Sequence, residues 1–176
     1  AMVLAYVVLD QDQYTEFDAH YFPGTDIPFT RLSEPKNYAA HTEPKGRTVL
    51  CAEIPCTRDD YIWNKSDDAL GELVVEGLKA AGLPAPQAVL ETHSRRLPQA
   101  YPIYHKGYEV HFEKMDSWIN GVDRFLSFGR QGLFAHDNTH HALRMAYAAV
   151  DSLVDGKIDD GRWAEHREGF KSHVVV

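Results

Sequence analysis

Seven consecutive apolar residues, Val3 to Leu9, place a buried β-strand close to the start of the chain. The run is too short to span a bilayer, and it lacks the basic flank and the cleavage site of a signal peptide. A second strand is predicted over Thr48–Ile54. Between them, the turn residues Pro23 to Asp26 predict a hairpin that joins His20–Phe22 to Phe29–Leu32. The first third of the chain is therefore expected to form a sheet.

Helices are predicted mainly after these strands. Residues 67–81 carry apolar side chains three and four positions apart, which predicts an amphipathic helix that Gly82 and Pro84 end. Further helices are predicted over 107–120, 138–153 and 161–173, and further strands over 86–98 and 124–128. On the helix at 107–120, the side chains expected to face inward are Val110, Met115, Trp118, Ile119 and Val122. On the helix at 138–153, they are Ala142, Met145, Ala146, Ala149, Val150 and Leu153. This order predicts an α+β fold with an antiparallel or mixed sheet, in a single domain over residues 1–176.

The charge balance limits the binding partners that can be expected, and the cysteines indicate the cellular compartment. Twenty-six acidic and eighteen basic residues give a formal charge of −8, which is the wrong sign for binding nucleic acid. Cys51 and Cys56 lie five residues apart in a strand-like segment, so they should point to opposite faces and form no local disulfide. A reduced, cytoplasmic protein without a membrane span is expected.

The segment from Ser127 to Ala142 carries the strongest chemical signal. Gly129 and Gly132 allow a backbone to approach a ligand closely, and Arg130 between them can bind a phosphate with two hydrogen bonds. Asp137, Asn138 and Thr139 are N-cap candidates for the helix that follows, whose N-terminus suits an anion. The same residues also fit an ordinary strand–turn–helix junction.

The segment resembles the C-terminal flavin-binding motif of FAD-dependent amine oxidase-like proteins, in the branch of protoporphyrinogen oxidase-like and UDP-galactopyranose mutase-like proteins. That motif is Gly-Arg-x-Gly-x-Phe-x-Tyr-x-Asn-x-Asp. This chain matches it at Gly129, Arg130, Gly132, Phe134 and Asn138, and has His136 at the Tyr position and His140 at the Asp position. Segments that also look similar, in order, are Tyr21–Pro23, Pro28–Leu32, Pro35–Asn37, Glu53, Ala100–Tyr104 and Gly107–Tyr108.

The resemblance implies a cofactor and two groups of site residues. FAD would be contacted by Gly129, Arg130, Gly132, Phe134, His136, Asn138 and His140. Arg130 would lie near the cofactor's phosphates, and the amides of residues 138–140 would face the pyrimidine edge of the flavin, where reduction places negative charge. Arg31, Tyr101 and Tyr104 are the candidates on the substrate side. The substrate is a small molecule whose class the motif leaves open among amines, porphyrinogens, polyenes and nucleotide sugars, and no catalytic residue is assigned.

The Gly-x-Gly-x-x-Gly turn that holds the pyrophosphate in such flavoproteins occurs nowhere in the 176 residues. The resemblance therefore implies the C-terminal, substrate-binding portion of an oxidoreductase, with an N-terminal FAD-binding domain as its missing partner. This chain alone is expected to be inactive and to hold no FAD. The surface where the absent domain would dock is expected to be apolar, and self-association as a homo-oligomer would cover it. The alternative is a stand-alone, non-enzymatic α+β module that binds a ligand or a partner.

A metal site is the rival interpretation of the histidines. His136, His140 and His141 lie close together in sequence beside Asp137, and His136 and His140 are four residues apart, as in helical zinc pairs. However, His136 precedes the predicted helix start, so the pair would not share a helical face. No glutamate follows the first histidine in the order typical of helical zinc proteases. No metal is therefore expected.

Overall fold

The computed structural model describes residues 1–38 and 43–175. The strands are β1 (Met2–Leu9), β2 (Ala19–Tyr21), β3 (Arg31–Ser33), β4 (Thr48–Pro55), β5 (Val89–Leu97), β6 (Leu153–Val154) and β7 (Lys157–Ile158). The helices are α1 (Asp67–Ala80), α2 (Tyr108–Asn120), α3 (Gly129–Gly132), α4 (Thr139–Asp151) and α5 (Asp160–Phe170), with a 3₁₀ turn at Pro35–Tyr38. The chain divides into two compact units, Ala1–Tyr101 and Pro102–Val176.

The first unit is built on a five-stranded sheet in the order β2-β3-β4-β1-β5, in which every neighbouring pair is antiparallel. Alternate residues of β1, among them Val3 and Val7, point to one face and are fully buried. Leu70, Val74 and Leu78 of α1 pack against that face in the same apolar cluster. The predicted α+β fold, the hairpin between β2 and β3 and the strands β1 and β4 are confirmed.

The first helix begins where the sequence predicts it. Ser66 is its N-cap, and the Ser66 hydroxyl accepts a hydrogen bond from the Ala69 N–H at 3.3 Å. After the last turn, Gly82 adopts a left-handed conformation with φ of +72°, and the Leu83 N–H donates to the Leu78 carbonyl. This closing turn satisfies a carbonyl that would otherwise end the helix without a partner.

The segment Pro35–Lys36–Asn37, which belongs to the family resemblance, has a structural role. Lys36 Nζ donates to the carbonyls of Asp12, Pro44 and Arg47 at 2.8, 2.8 and 3.0 Å. Asn37 Nδ2 donates to the carbonyls of Thr15 and Phe17. These bonds satisfy loop carbonyls, and the turn therefore holds the loops that flank β2 and β4.

The second unit has its own apolar core around α4 and α5. Met145, Ala148 and Ala149 of α4 pack with Trp163 and Phe170 of α5. A short hairpin, β6–β7, joins these helices. Its turn is Asp155–Gly156, with φ of 49° and 76°. The Asp-Gly pair is a strong hairpin signal, but the sequence analysis assigned no strand there.

The predictions for the remainder of the second unit were partly wrong. Residues 124–128 form no strand, since Arg124 adopts a positive φ of 58° that interrupts an extended backbone, and the short helix α3 follows instead. Helix α2 forms as predicted but buries none of its residues, and Trp118 is 72% exposed. On α4, Val150 is also exposed, whereas Ala148 is buried. Leu153, which was predicted to lie on the same helix, follows its end, belongs to β6 and is exposed. Apolar spacing identifies a face that a helix can bury, but another element must cover that face.

Helix α2 is linked to α5 by a charged pair. The Arg167 guanidinium donates to both carboxylate oxygens of Asp116, at 3.0 and 2.8 Å, and to Asn120 Oδ1 at 2.9 Å. Both charged side chains are at least four-fifths buried. The prediction of one functional domain over residues 1–176 stays a prediction, within which the structure distinguishes the two units.

Candidate functional site

The start of α4 presents backbone N–H groups at an exposed edge of the second unit. Asn138, one of the three N-cap candidates identified in the sequence, is the N-cap, with φ of −86° and ψ of 168°. The next two residues, Thr139 and His140, are exposed, and helix geometry gives their N–H groups no carbonyl four residues earlier. The partial positive charge of a helix N-terminus is therefore accessible at residues 139–140.

Arg130 holds the loop that leads into α4. Its Nη1 donates to the Asp137 carbonyl at 3.2 Å, and its own carbonyl accepts from the Ala135 N–H at 2.9 Å. The guanidinium is thereby fixed next to the N-cap residue, and Arg130 remains partly exposed. This arrangement adds a full positive charge to the partial charge of the helix end.

Glycine suits the two positions of the motif for different structural reasons. Gly129 adopts φ of +85°, a conformation that other residues rarely take, and a Cβ at this position would meet no atom within 4 Å. At Gly132, a Cβ would lie 2.9 Å from Ser127 Oγ, which donates to the Gly132 carbonyl at 3.2 Å. Gly129 thus leaves space beside the backbone, whereas Gly132 permits a close internal contact.

Phe134 is at the centre of an aromatic cluster. Its ring centroid lies 4.8 Å from that of Tyr104, 4.9 Å from Tyr108 and 6.4 Å from Phe112. The His136 ring meets the Tyr104 ring edge-on at 6.1 Å. The Tyr104 hydroxyl is buried and has no hydrogen-bond partner among residues 1–38 and 43–175. A buried hydroxyl of this kind is normally satisfied by a partner, including water or a ligand.

The structure brings some of the predicted site residues together. Tyr104, a substrate candidate, contacts Phe134 and His136, which are cofactor candidates. Arg130, Asn138 and His140 lie at the start of α4. The other two substrate candidates belong to the first unit, where Arg31 is in β3 and Tyr101 is an exposed residue after β5.

In the first unit, the sheet face opposite α1 carries a polar array that the sequence analysis largely missed. We call it the second sheet face and define it by two cross-strand rows, since paired residues point to the same side. One row is Tyr21–Arg31–Glu53–Leu4–Arg95, and the other is Ser33–Cys51–Tyr6–His93. Only Arg31 was selected from the sequence as a site residue, because register across strands cannot be read from one strand.

Charges and hydroxyl groups on the second sheet face are coupled. Arg31 Nη2 donates to Glu53 Oε1. Burial acts to lower the pKa of Arg31, but hydrogen bonds to Tyr21 and Glu53 outweigh it and hold that pKa above its ordinary value. Burial, with the Glu53 charge, raises the pKa of the Cys51 thiol. Burial also raises the pKa of Tyr6, which is hydrogen-bonded to Cys51.

A second polar cluster lies behind the start of α4. Asp137 Oδ1 is 3.2 Å from Nδ1 of His141 and 3.2 Å from Nδ1 of His173. The two imidazole rings stack with centroids 4.3 Å apart and planes 11° apart. Burial, then the neighbouring His140, lowers the pKa of His141. His173 follows α5, and no sequence signal placed it near residues 137–141.

The second unit also contains a wide cleft that none of the predicted site residues lines. Its volume is about 970 Å³, and its walls are residues 120–126, the β6–β7 hairpin and α5. Three acidic and three basic side chains line it: Asp123, Asp155, Asp160, Arg124, Lys157 and Arg167. The formal charges of these six side chains balance.

Comparisons with known proteins identify the fold. No protein-family model and no curated protein sequence matches the chain. A crystal structure of a reduced UDP-galactopyranose mutase matches 99% of the chain with a TM-score of 0.73 and 19% sequence identity. A protein assigned as a protoporphyrinogen oxidase from Exiguobacterium sp. 255-15 matches 66% of the chain with a TM-score of 0.49 and 19% identity, covering 26% of its own length.

The chain spans 38% of the length of the UDP-galactopyranose mutase that it matches. Within the described residues, every helix is too short or too polar to cross a lipid bilayer. The chain has the α+β fold of the corresponding part of a UDP-galactopyranose mutase.

Proposed function

We propose that this chain is the substrate-binding and C-terminal, flavin-contacting portion of an FAD-dependent, amine oxidase-like oxidoreductase or mutase. The observation that carries the proposal is the exposed start of α4 with Arg130 held beside it. This arrangement occurs at the residues of the flavin-binding motif, in a chain with the fold of a mutase segment. The N-terminal dinucleotide-binding domain of such a protein would be the partner of this chain.

The residues present fit a flavin at the start of α4. The space beside Gly129 would admit a flat ligand close to the backbone. The N–H groups of residues 139–140 and the Arg130 guanidinium supply the positive field that a phosphate or an electron-rich ring edge requires. The buried Tyr104 hydroxyl, next to Phe134 and His136, is a polar group that a ligand or water would satisfy.

FAD, when bound, supplies the hydride and electron transfer. The chain's own contribution is then to bind and orient the cofactor and to tune its charge. The N–H groups at the start of α4 would stabilise negative charge on the facing edge, and more strongly as that charge grows. Arg130 would bind an anionic group of the cofactor.

The second sheet face is the proposed substrate side of the first unit. Arg31 offers a guanidinium that is about one-third exposed, and its Nε is buried without a hydrogen-bond partner in the described part of the chain. Tyr21 lies directly across from Arg31 in the same row, and Tyr6 adds a hydroxyl group in the other row, where it pairs with Cys51. Such a face suits a polar or anionic small molecule, and the nucleotide sugar of the mutase is one example.

The compartment is part of the proposal. Cys51 and Cys56 are both free thiols, and free thiols in place of disulfides are typical of the reducing cytoplasm. A cytoplasmic protein agrees with this state of the cysteines.

The experiment that tests the proposal uses the natural polypeptide in which this chain occurs. We expect it to purify with one FAD, measured by its visible absorbance. The variant His140→Glu adds a negative charge at the helix start, and it should lower the flavin reduction potential because negative charge disfavours the reduced, anionic edge. His166→Glu, on α5, is the control and should leave the potential unchanged.

Two results would overturn the proposal. A polypeptide that neither contains nor binds flavin would favour the stand-alone ligand- or partner-binding module. A flavoprotein whose potential responds equally to His140→Glu and His166→Glu would show that the start of α4 does not face the flavin.

A further inference from the structure

Asp137, His141 and His173 form a cluster that is almost completely removed from solvent. Their side chains are 3%, 10% and 5% exposed. One ligand atom from each lies within 4.8 Å of the others. The cluster joins the residue before the α4 N-cap to the segment that follows α5, and it is separate from the exposed N–H groups at residues 139–140.

The cluster has more buried acceptor lone pairs than N–H groups that could donate hydrogen bonds to them. The Asn138 N–H donates to His141 Nδ1 at 3.2 Å, so this nitrogen carries a lone pair and no proton. Its 3.2 Å contact with Asp137 Oδ1 therefore places two acceptors side by side. Such a contact is unfavourable unless a positive charge lies close to both atoms.

Two further atoms of the cluster lack partners. Asp137 Oδ2 and His173 Nε2 are both buried without a hydrogen bond anywhere in the described ranges 1–38 and 43–175. If His173 donates from Nδ1 to Asp137, its Nε2 keeps an unfilled lone pair. In the other tautomer, Nδ1 carries the lone pair and faces Asp137 Oδ1 at 3.2 Å as a second contact between two acceptors, and this is the form in which Nδ1 could bind an ion. Buried polar groups without partners are rare, and a bound ion is one recognised reason for them.

We propose that Asp137, His141 and His173 form a binding site for a divalent cation of the zinc type. Neutral imidazole nitrogen and carboxylate oxygen are the ligands that such an ion takes from protein. Two ligand atoms at about 2.0–2.1 Å from a tetrahedral ion lie about 3.3–3.4 Å apart. The two 3.2 Å contacts of Asp137 Oδ1 are close to that spacing.

The site differs from the one that the sequence analysis weighed. The cluster predicted from the sequence was His136, His140 and His141 beside Asp137, and no metal was expected there, whereas the present cluster keeps Asp137 and His141 and adds His173 from beyond α5. Coordination by both rings requires their lone pairs to meet at one point. The rings would then tilt out of the present stack, in which their planes differ by 11°.

The test is metal binding by the full chain after treatment with a chelator. Titration calorimetry with Zn²⁺ should give one ion per chain, and Co²⁺ should give the intense visible absorption of a tetrahedral site. Asp137→Asn and His173→Ala should each weaken Zn²⁺ binding at least tenfold. His166→Ala is the matched control, because His166 and Asp151 form a 2.9 Å pair to which no other residue in the described part of the chain adds a third ligand. This variant should bind Zn²⁺ like the unaltered chain.

The results of these measurements distinguish a specific metal site from adventitious metal binding. Circular dichroism of each variant reports whether it is folded, and the Co²⁺ spectrum of the unaltered chain tests the proposal without any substitution. Absence of that spectrum would overturn the proposal. Zinc binding that is equal in folded His173→Ala, His166→Ala and unaltered chains would also overturn it, and would assign the ion to surface histidines or to the cysteines.

Discussion

The aromatic ring of Phe29 occupies the space that a side chain at Gly77 would need. A Cβ on Gly77 would lie 2.5 Å from Phe29 Cε1 and 3.1 Å from Pro28 Cδ. Phe29 is fully buried, and its ring meets that of Phe22 edge-on at 5.0 Å. The ring therefore has little room to retreat, and this glycine sets how closely α1 approaches the chain at residues 28–29.

Gly77→Ala should destabilise the first unit although alanine is the better helix former. Alanine in a helix gains about 0.5–1 kcal/mol over glycine, but overpacking a dense core costs about 1–3 kcal/mol. We expect a net loss of about 1 kcal/mol, the middle of a range of about 0–2.5 kcal/mol, in the free energy of unfolding, measured by urea denaturation of the full chain.

Gly169→Ala is the matched control for that substitution. Gly169 lies within α5, and a Cβ there would meet no atom within 4 Å. Its replacement should stabilise the chain by about 0.5–1 kcal/mol. Equal effects of the two substitutions would contradict the close contact between Gly77 and Phe29.

The reactivity of Cys51 should report the charges on the second sheet face. Burial and Glu53 raise the pKa of Cys51, while Arg31 lowers it. Glu53→Gln should lower that pKa, increase the thiolate fraction and accelerate alkylation at a fixed pH below the thiol pKa. Arg31→Gln should raise the pKa and slow the reaction, because only the thiolate reacts. The rates are measured with iodoacetamide in a Cys56→Ser background.

The alkylation rate of Cys51 should also keep rising with pH beyond the ordinary thiol pKa, since the folded protein holds the thiol protonated. Rates in denaturant should be equal for all variants, which controls for intrinsic reactivity. Changes of the same sign for Glu53→Gln and Arg31→Gln would indicate altered access to the buried thiol and contradict the electrostatic prediction.

Arg167→Met should loosen α2 from the second unit. The substitution leaves the Asp116 carboxylate mostly buried without its two guanidinium hydrogen bonds, which costs about 1–3 kcal/mol. Hydrogen-exchange mass spectrometry should show faster exchange in peptides of α2. As a control, Arg162→Met removes an ion pair with Asp151 whose side chains are about half-exposed, and it should change stability by about 0–1 kcal/mol. Unchanged exchange in α2 would show that other contacts hold the helix.

This chain alone should purify without colour and should not quench the fluorescence of micromolar flavin. A contact at an exposed helix end is worth about 0.3–1 kcal/mol, whereas association costs several kcal/mol of translational and rotational freedom. The expected affinity is millimolar at best. A yellow preparation with one flavin per chain would show that this chain alone contains the main cofactor contacts.

The sequence predicted the elements whose pattern is local. The apolar run of β1, the spacing along α1 and the Asn138 cap of α4 all have short-range signals, and each was found in its predicted place. Trp118 shows the limit of such reasoning. It lies on the apolar side of a correctly predicted helix yet is 72% exposed, because nothing in its own segment encodes what packs against it.

The same limit applies to the candidate sites. Gly129, Arg130 and Asn138 are neighbours in sequence, so the motif could be recognised in one segment. His173 reaches Asp137 from 36 positions away, and Tyr6 pairs with Cys51 and His93 through strand register. Contacts of this kind depend on topology, which one sequence does not reveal.

The order of the sheet has a consequence for behaviour at high protein concentration. β2, an outer strand, has only three residues, and the other outer strand, β5, carries Glu91, His93 and Arg95 on one face and ends next to Pro98. A strand from another molecule would gain few backbone bonds at β2 and would meet charges at β5. Fibrous growth by adding strands to this sheet is therefore disfavoured at both ends, and concentrated solutions should remain clear of cross-β aggregates while the fold persists.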